Sequence, residues 1–441
     1  MNNQNITLRL ILMNFLQYAV WGAYLTSMGS YLAGAGLGGK IGLFFSMQGI
    51  VSIFMPALVG IIADRFIPAQ KVLSGCHFIA ALFMIAAGWY GLSAGSSVQF
   101  GPLFTLYAIS VAFYMPTIAL SNSVAYAALE GAGKDTVKTF PPIRVFGTVG
   151  FICSMIAVDL LKFQHTHYQF CFAGGLGILL ALYALTLPNV PVKKVQAQSF
   201  MEATGLKAFT LFRNPQMAIF FIFSMLLGAA LQITNGFANP YISQFVTDPQ
   251  YQHTFGVEHA NILISLSQMS ETLCILLIPF FMKRFGIKKV MLIAMFAWVF
   301  RFGFFGIGNP GFPGVIWFVL SMLVYGVAFD FFNISGSLYV NRKTTEDIRS
   351  SAQGLFMLMT NGLGATIGSL AAQAVVNAFT HPAEVGGRFY TVGDWSTVWY
   401  IFAAYALVVG VVFLLIFKDP GKDEVAMDPD FNPTAEDPTR G

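Results

Sequence analysis

Charge is scarce in this chain: Asp, Glu, Lys and Arg together supply 10% of its 441 residues. A soluble domain carries about a quarter of its residues charged, so a water-soluble fold of this length is excluded. Cysteine is scarcer still. Cys76, Cys153, Cys171 and Cys274 stand singly inside apolar stretches, which leaves neither a disulfide framework nor a metal-ligand spacing. The six histidines form no metal pattern; His165 and His167, a close pair, read as solvated loop residues. No nucleophile–base pair and no metal set is spaced for catalysis, so an enzyme is not expected. The net charge of +4 is too small to argue for a nucleic-acid partner. A polar start over residues 1–8, followed by a long apolar run, does not read as a cleaved signal peptide.

What the chain has in abundance is apolar sequence, 56% of residues, at a mean hydropathy of +0.68. A membrane span needs about 20 mainly apolar residues. Twelve such segments are expected near 8–33, 41–63, 70–92, 101–126, 140–161, 168–188, 215–243, 259–282, 289–307, 312–340, 350–379 and 394–417. Short cytoplasmic loops collect Lys and Arg. With the N-terminus inside, 19 of the 24 basic residues fall on the cytoplasmic side, so both termini are expected there. The segment 189–213, with Pro191 and four basic residues, divides the spans six and six. The expected domains are an N-terminal six-helix half over 1–188, a cytoplasmic linker over 189–213, a C-terminal half over 214–418 and a disordered cytoplasmic tail over 419–441. That tail carries seven acids and four prolines, a composition that cannot bury a core.

The halves echo one another. Gly60-Ile-Ile-Ala-Asp64-Arg65 closes span two, and Phe281-Met-Lys283-Arg284-Phe285-Gly286 closes span eight about half a chain later. Two six-span halves from an internal duplication place a substrate site between them near the midplane. The turn after span two partly resembles the signature of the major facilitator superfamily, with Asp64 expected to cap or pair with a neighbouring helix.

Four strong charges lie well inside the spans, away from their ends: Arg144, Glu271, Arg301 and Asp330. An ionised side chain at the bilayer centre costs roughly 2.5–3.5 kcal/mol on insertion scales, so such groups face a pathway or a partner. Residues three, four or seven apart share a helix face. On that rule Arg144, Thr148 and Phe151 form one stripe, Gln232 and Asn235 a second, Gln268 and Glu271 a third, and Tyr325 and Phe329 a fourth, with Asp330 beside it. Weaker stripes are Asn14, Gln17, Trp21 and Tyr24 in span one, and Gln353, Met357, Thr360 and Asn361 in span eleven. Amide and carboxyl groups suit a ligand with several hydroxyls, and ring faces suit a flat base. Each stripe also has a plainer explanation. Gln232, Asn235 and Gln268 suit interhelical hydrogen bonding, the rings suit packing, and Arg144 suits neutralising Glu271. Arg301 has no polar stripe beside it, so a structural or interfacial role is expected. For Glu271 and Asp330 a transport role leads.

Several strings resemble one family. Phe140-Pro-Pro-Ile-Arg144, Met217 to Gly228, Leu231-Gln-Ile-Thr-Asn235 and Ala328-Phe-Asp-Phe-Phe-Asn-Ile-Ser-Gly336 are similar to the bacterial nucleoside:H+ symporters, a branch of the major facilitator superfamily. The resemblance runs from Leu12 to about Phe417. It implies an all-α membrane protein of twelve transmembrane helices in two six-helix halves, taking up nucleosides with protons across the inner membrane by alternating access. It further implies substrate contacts at Arg144, Thr148, Phe151, Gln232, Asn235, Gln268, Glu271, Tyr325 and Phe329, and proton coupling at Asp330 and Glu271. No cofactor beyond the coupling proton is expected, and the protein is expected to be a monomer in the bilayer. Ala230 departs from the family, standing where at least one member has an acidic residue. The alternatives are an H+-coupled sugar or drug carrier on the same fold, and a nucleoside receptor that transports nothing.

Overall fold

A computed structural model describes residues 3–190, 206–344 and 346–418. The linker is described only at its two ends, and the tail 419–441 and the Asp64 side chain lie outside the described residues. Among the described residues, nine apolar helices are long enough to cross a bilayer. Three further crossings are shorter or interrupted, which brings the described residues to the expected twelve. The first span is α1 (Asn3–Gly22) continued after a short turn by α2 (Met28–Leu32). The sixth is α7 (Tyr168–Ala184), and the eighth is α9 (Ala260–Ile275), which hands over at Leu276 and Leu277 to α10 (Ile278–Ile307). Gly286, at φ 78°, turns the chain within α10 and so separates the eighth span from the ninth.

The remaining spans are α3 (Ile41–Arg65), α4 (Ala69–Ala94), α5 (Phe100–Gly131), α6 (Thr136–Leu160), α8 (Pro215–Ser243), α11 (Val315–Lys343), α12 and α13 (Glu346–Met357 and Ala365–Phe379) joined by a π-turn, and α14 (Trp395–Ile416). Helix packing repeats between the two sets of six. In the first set the spans pair one with five, two with four and three with six; in the second, seven pairs with eleven, eight with ten and nine with twelve. The register offset of six is the structural trace of the duplication read from the sequence. Across the sets, span two packs on eleven and span five on eight.

With twelve crossings the chain enters and leaves at one end. The described polar contacts between the two sets gather towards the other end. Ser30 Oγ donates to Asn239 Oδ1 at 2.5 Å, Thr26 Oγ1 to Asn261 Oδ1 at 2.7 Å, and the Gly42 N–H to Gln373 Oε1 at 2.6 Å. Gly29 lets the first span approach this seam, because a Cβ there would run into the Gly236 carbonyl oxygen. A two-stranded hairpin, β1 (Thr380–Val385) and β2 (Arg388–Gly393), lies over the same end. Its Arg388 Nη2 donates to the Ser30 carbonyl at 2.9 Å and the guanidinium sits 5.4 Å from the Tyr390 ring centre.

His165, in the loop between α6 and α7, is shielded at Nδ1 without a partner there. Burial, and secondarily the charge of Arg388, hold it well below the usual imidazole value. The unfolded loop therefore binds a proton near pH 6.5 that the packed loop refuses, so packing weakens as pH falls below that value. Local opening of residues 161–167 and 380–393 is expected to rise by up to about tenfold per pH unit below 6.5. Hydrogen exchange at pH 7.5 and 5.5 checks this; His165→Gln is expected to flatten the response, and an equally steep variant would exclude His165 as its source.

Candidate functional site

The site is built where α6 of the first set packs on α9 of the second and α11 packs on α9 in turn. Gly326 brings α11 against α9: a Cβ there would stand 2.6 Å from the Ser270 carbonyl oxygen. That close approach places the Gln268–Glu271 face beside the Tyr325–Phe329–Asp330 face. The Tyr325 hydroxyl faces Gln268, and Glu271 and Asp330 both lie within electrostatic reach of it. The Tyr325 and Phe329 rings are stacked, 6.0 Å between centres at 11°, a flat wall of the kind an aromatic ligand faces.

Arg144 enters from α6. Its charge acts on Glu271 and on Asp330. No ion pair within 4.0 Å joins it to either carboxylate among the described residues; its guanidinium instead lies 4.0 Å from the centre of the Tyr18 ring. Neutralising Glu271 by direct contact is therefore not its role in this state. Asp330 is 4% exposed, and its Oδ2 is shielded with no donor. A buried polar atom left unpartnered calls for a functional account.

Along α6, Phe151 is buried and meets Trp21 edge to face at 6.3 Å, while Thr148 is half-buried without a hydrogen-bond partner among the described residues. On α8, Asn235 Nδ2 donates to Gln232 Oε1 at 3.4 Å, one turn away on the same helix. Neither amide bonds across helices among the described residues, so both keep capacity for a ligand, and the interhelical explanation fails for them. It holds elsewhere. Gln17 donates to Thr117 Oγ1 at 2.8 Å and meets His77 Nε2 at 2.7 Å inside the first set of helices. Gln353 Nε2 donates to the Ser337 carbonyl at 2.8 Å, and Thr360 bonds back to Phe356 O at 2.9 Å. In the span-eleven stripe Gln353 and Thr360 are thus spent on structural bonds, while Asn361 is exposed and, among the described residues, reaches only Met357 Sδ at 3.8 Å.

One residue escaped the sequence reading. Asp159, at the end of α6, has a fully buried side chain. Its Oδ1 accepts from His259 Nδ1 at 2.5 Å, and its Oδ2 accepts from the Asn261 and Ile262 N–H groups at 3.1 Å each. It therefore caps α9 from the other set of helices. Asn261 adds a bond from Nδ2 to the Met155 carbonyl at 2.9 Å, and Gln164 Nε2 one to the Glu258 carbonyl at 3.0 Å. The missed signal was an acid within the last turn of an apolar segment, facing an Asn-containing first turn in span eight.

Comparison with known proteins agrees with the fold. The sequence model of a family described as Nucleoside H+ symporter matches residues 4–422. The chain is 47% identical over 424 residues to the xanthosine permease of Escherichia coli K12, covering 95% of this chain and 98% of that one. It is 45% identical over 417 residues to the nucleoside permease NupG of the same organism, covering 94% and 96%. The crystal structure of the nucleoside transporter NupG superposes with a TM-score of 0.84 at 45% identity, covering 95% of this chain and 100% of that one.

Proposed function

The chain belongs to the nucleoside H+ symporter family, and from that premise we propose that nucleoside and proton share a site lined by α6, α8, α9 and α11. It is a multi-pass membrane transporter of the major facilitator fold that takes up nucleosides with protons. The bonded seam is its periplasmic face and both termini are cytoplasmic, in the inner membrane of a bacterium, an orientation supported by the distribution of Lys and Arg. The protein works as a monomer, with the halves 1–188 and 214–418 rocking about that site.

In this reading the ribose hydroxyls bond to Gln232, Asn235, Gln268 and Glu271, and the base lies against Phe151 and Phe329. Arg144, Thr148 and Tyr325 donate to the base carbonyls or hold Glu271. Asp330 takes H+ from the periplasm. While charged it has no donor to offset lost hydration at Oδ2, so neutralising it lowers the barrier to moving that helix through the apolar seam. Glu271 shares its field and senses the same proton. The observation that supports this most is that Arg144 of one half lies within electrostatic reach of Glu271 and Asp330 of the other, beside the stacked Tyr325 and Phe329 rings.

Radiolabelled nucleoside uptake into proteoliposomes tests it. With the interior alkaline, uptake is expected to overshoot the external concentration and to collapse with a protonophore. Competition by a sugar and not by uridine would replace this reading with a sugar carrier. Saturable binding without accumulation would replace it with a receptor.

A further inference from the structure

Arg301 is the membrane-embedded charge that the transport reading leaves without a task. It is 2% exposed and, among the described residues, no carboxylate lies within 4.0 Å of it. Its Nη1 donates to the Ser321 carbonyl at 2.7 Å and to Ser267 Oγ at 3.3 Å, and the Ser321 hydroxyl returns a bond to the Arg301 carbonyl at 2.8 Å. The guanidinium lies 4.6 Å from the centre of the Tyr325 ring, and Trp298 closes the ring edge-on at 6.0 Å. A cation held over a ring face attracts it, and more strongly where both are desolvated. A lipid-facing or merely interfacial arginine would snorkel to water instead.

We propose that Arg301 is a positioning residue for the substrate site, clamping Tyr325 and the Gln268-bearing turn of α9 so that the Tyr325–Phe329 wall stands ready before nucleoside arrives. Ser267 and Gln268 are adjacent in sequence, so a bond to the first fixes the turn that presents the second. Tyr325 is thereby held on two sides, by the guanidinium over its ring and by Trp298 at its edge. A planar, multiply bonded cation does this; an ammonium cannot reproduce the fork and the stacking together. The clamp acts on binding, because it pre-forms a wall that would otherwise be ordered at a cost to affinity. The inference rests on the transport reading, and the wild-type uptake assay tests that reading separately.

The experiment measures KM and maximal rate for uridine and adenosine in proteoliposomes, for Arg301→Lys, Ser267→Ala and Tyr325→Leu and for both pairs with Tyr325→Leu. Arg301→Lys is expected to raise KM by about tenfold while the pH profile of the maximal rate stays in place. Ser267→Ala, which leaves the cation buried, is expected to raise KM by about threefold. In the Tyr325→Leu background neither substitution is expected to raise KM further, since the clamped ring is gone. If Arg301→Lys does not fold, Ser267→Ala alone carries the test. An unchanged KM in a folded variant, or the same rise with and without Tyr325, overturns the proposal and leaves Arg301 as a packing residue.

Discussion

Asp330→Asn is expected to abolish proton-driven accumulation while leaving nucleoside exchange across the membrane intact. The amide has the shape of the neutral acid and cannot release H+, so the carrier can still alternate but no longer couples. One proton crossing 100 mV releases about 2.3 kcal/mol, enough for roughly fifty-fold accumulation. The variant should fall to an accumulation ratio of about one, the largest effect predicted for any single substitution in the site. Counterflow, in which internal unlabelled nucleoside drives entry of label, separates this outcome from simple inactivation, since it needs alternation and binding but no proton. A variant that still concentrates nucleoside under an imposed pH gradient would move the coupling acid elsewhere, with Glu271 the first replacement because its field reaches the same residues. Loss of both accumulation and counterflow would place Asp330 in binding rather than coupling.

How much of this was visible in the sequence depends on which kind of neighbour is in question. Helical spacing tells which residues share a face, and so Gln268 with Glu271, and Tyr325 with Phe329 and Asp330, were legible as stripes. The fold was legible for the same reason, because span length, loop charge and the echo between Arg65 and Arg284 are local quantities. What spacing cannot give is the element opposite. The span-eleven stripe looked as polar as that of span seven, yet Gln353 is spent on Ser337 in the adjacent helix while Gln232 and Asn235 bond only along their own. Arg301 looked isolated because its partners are a backbone carbonyl, a serine and a ring face, none of which announces itself as a counterpart to a charge. Asp159 was hidden by position. It falls in the last turn of a span, where an acid looks like an ordinary interface residue, and its partners Asn261 and Ile262 are 102 and 103 residues away.

Removing the Asp159 carboxylate is expected to open the seam far from the termini. A buried carboxylate that receives two N–H bonds at the first turn of α9 and a third from His259 joins the halves through charge-assisted hydrogen bonds, which run at about 1.5–3 kcal/mol apiece. The helix dipole of α9 adds to this, since a negative charge at an N-terminus is favourable there. In Asp159→Ala the Ile262 N–H loses its acceptor, the Asn261 N–H keeps only Gln164 Oε1 at 3.3 Å, and the closed seam loses a large part of what holds it, so a shift of at least about tenfold towards the opposite-facing state is expected, 1.4 kcal/mol being one decade. Spin labels at Lys162 and Glu384, both exposed at that end and on opposite halves, report the change as a longer distance population. Asp159→Asn should give an intermediate shift, because its amide keeps one acceptor oxygen but turns a donor towards donors. Asp159→Glu distinguishes geometry from charge: the longer side chain keeps the negative charge near the dipole but cannot hold the same bonds, so partial closure is expected. Unchanged distances in Asp159→Ala would mean that the seam is held by Ser30, Asn239, Gly42 and Gln373 instead, and that the carboxylate of α6 only caps a helix it happens to touch.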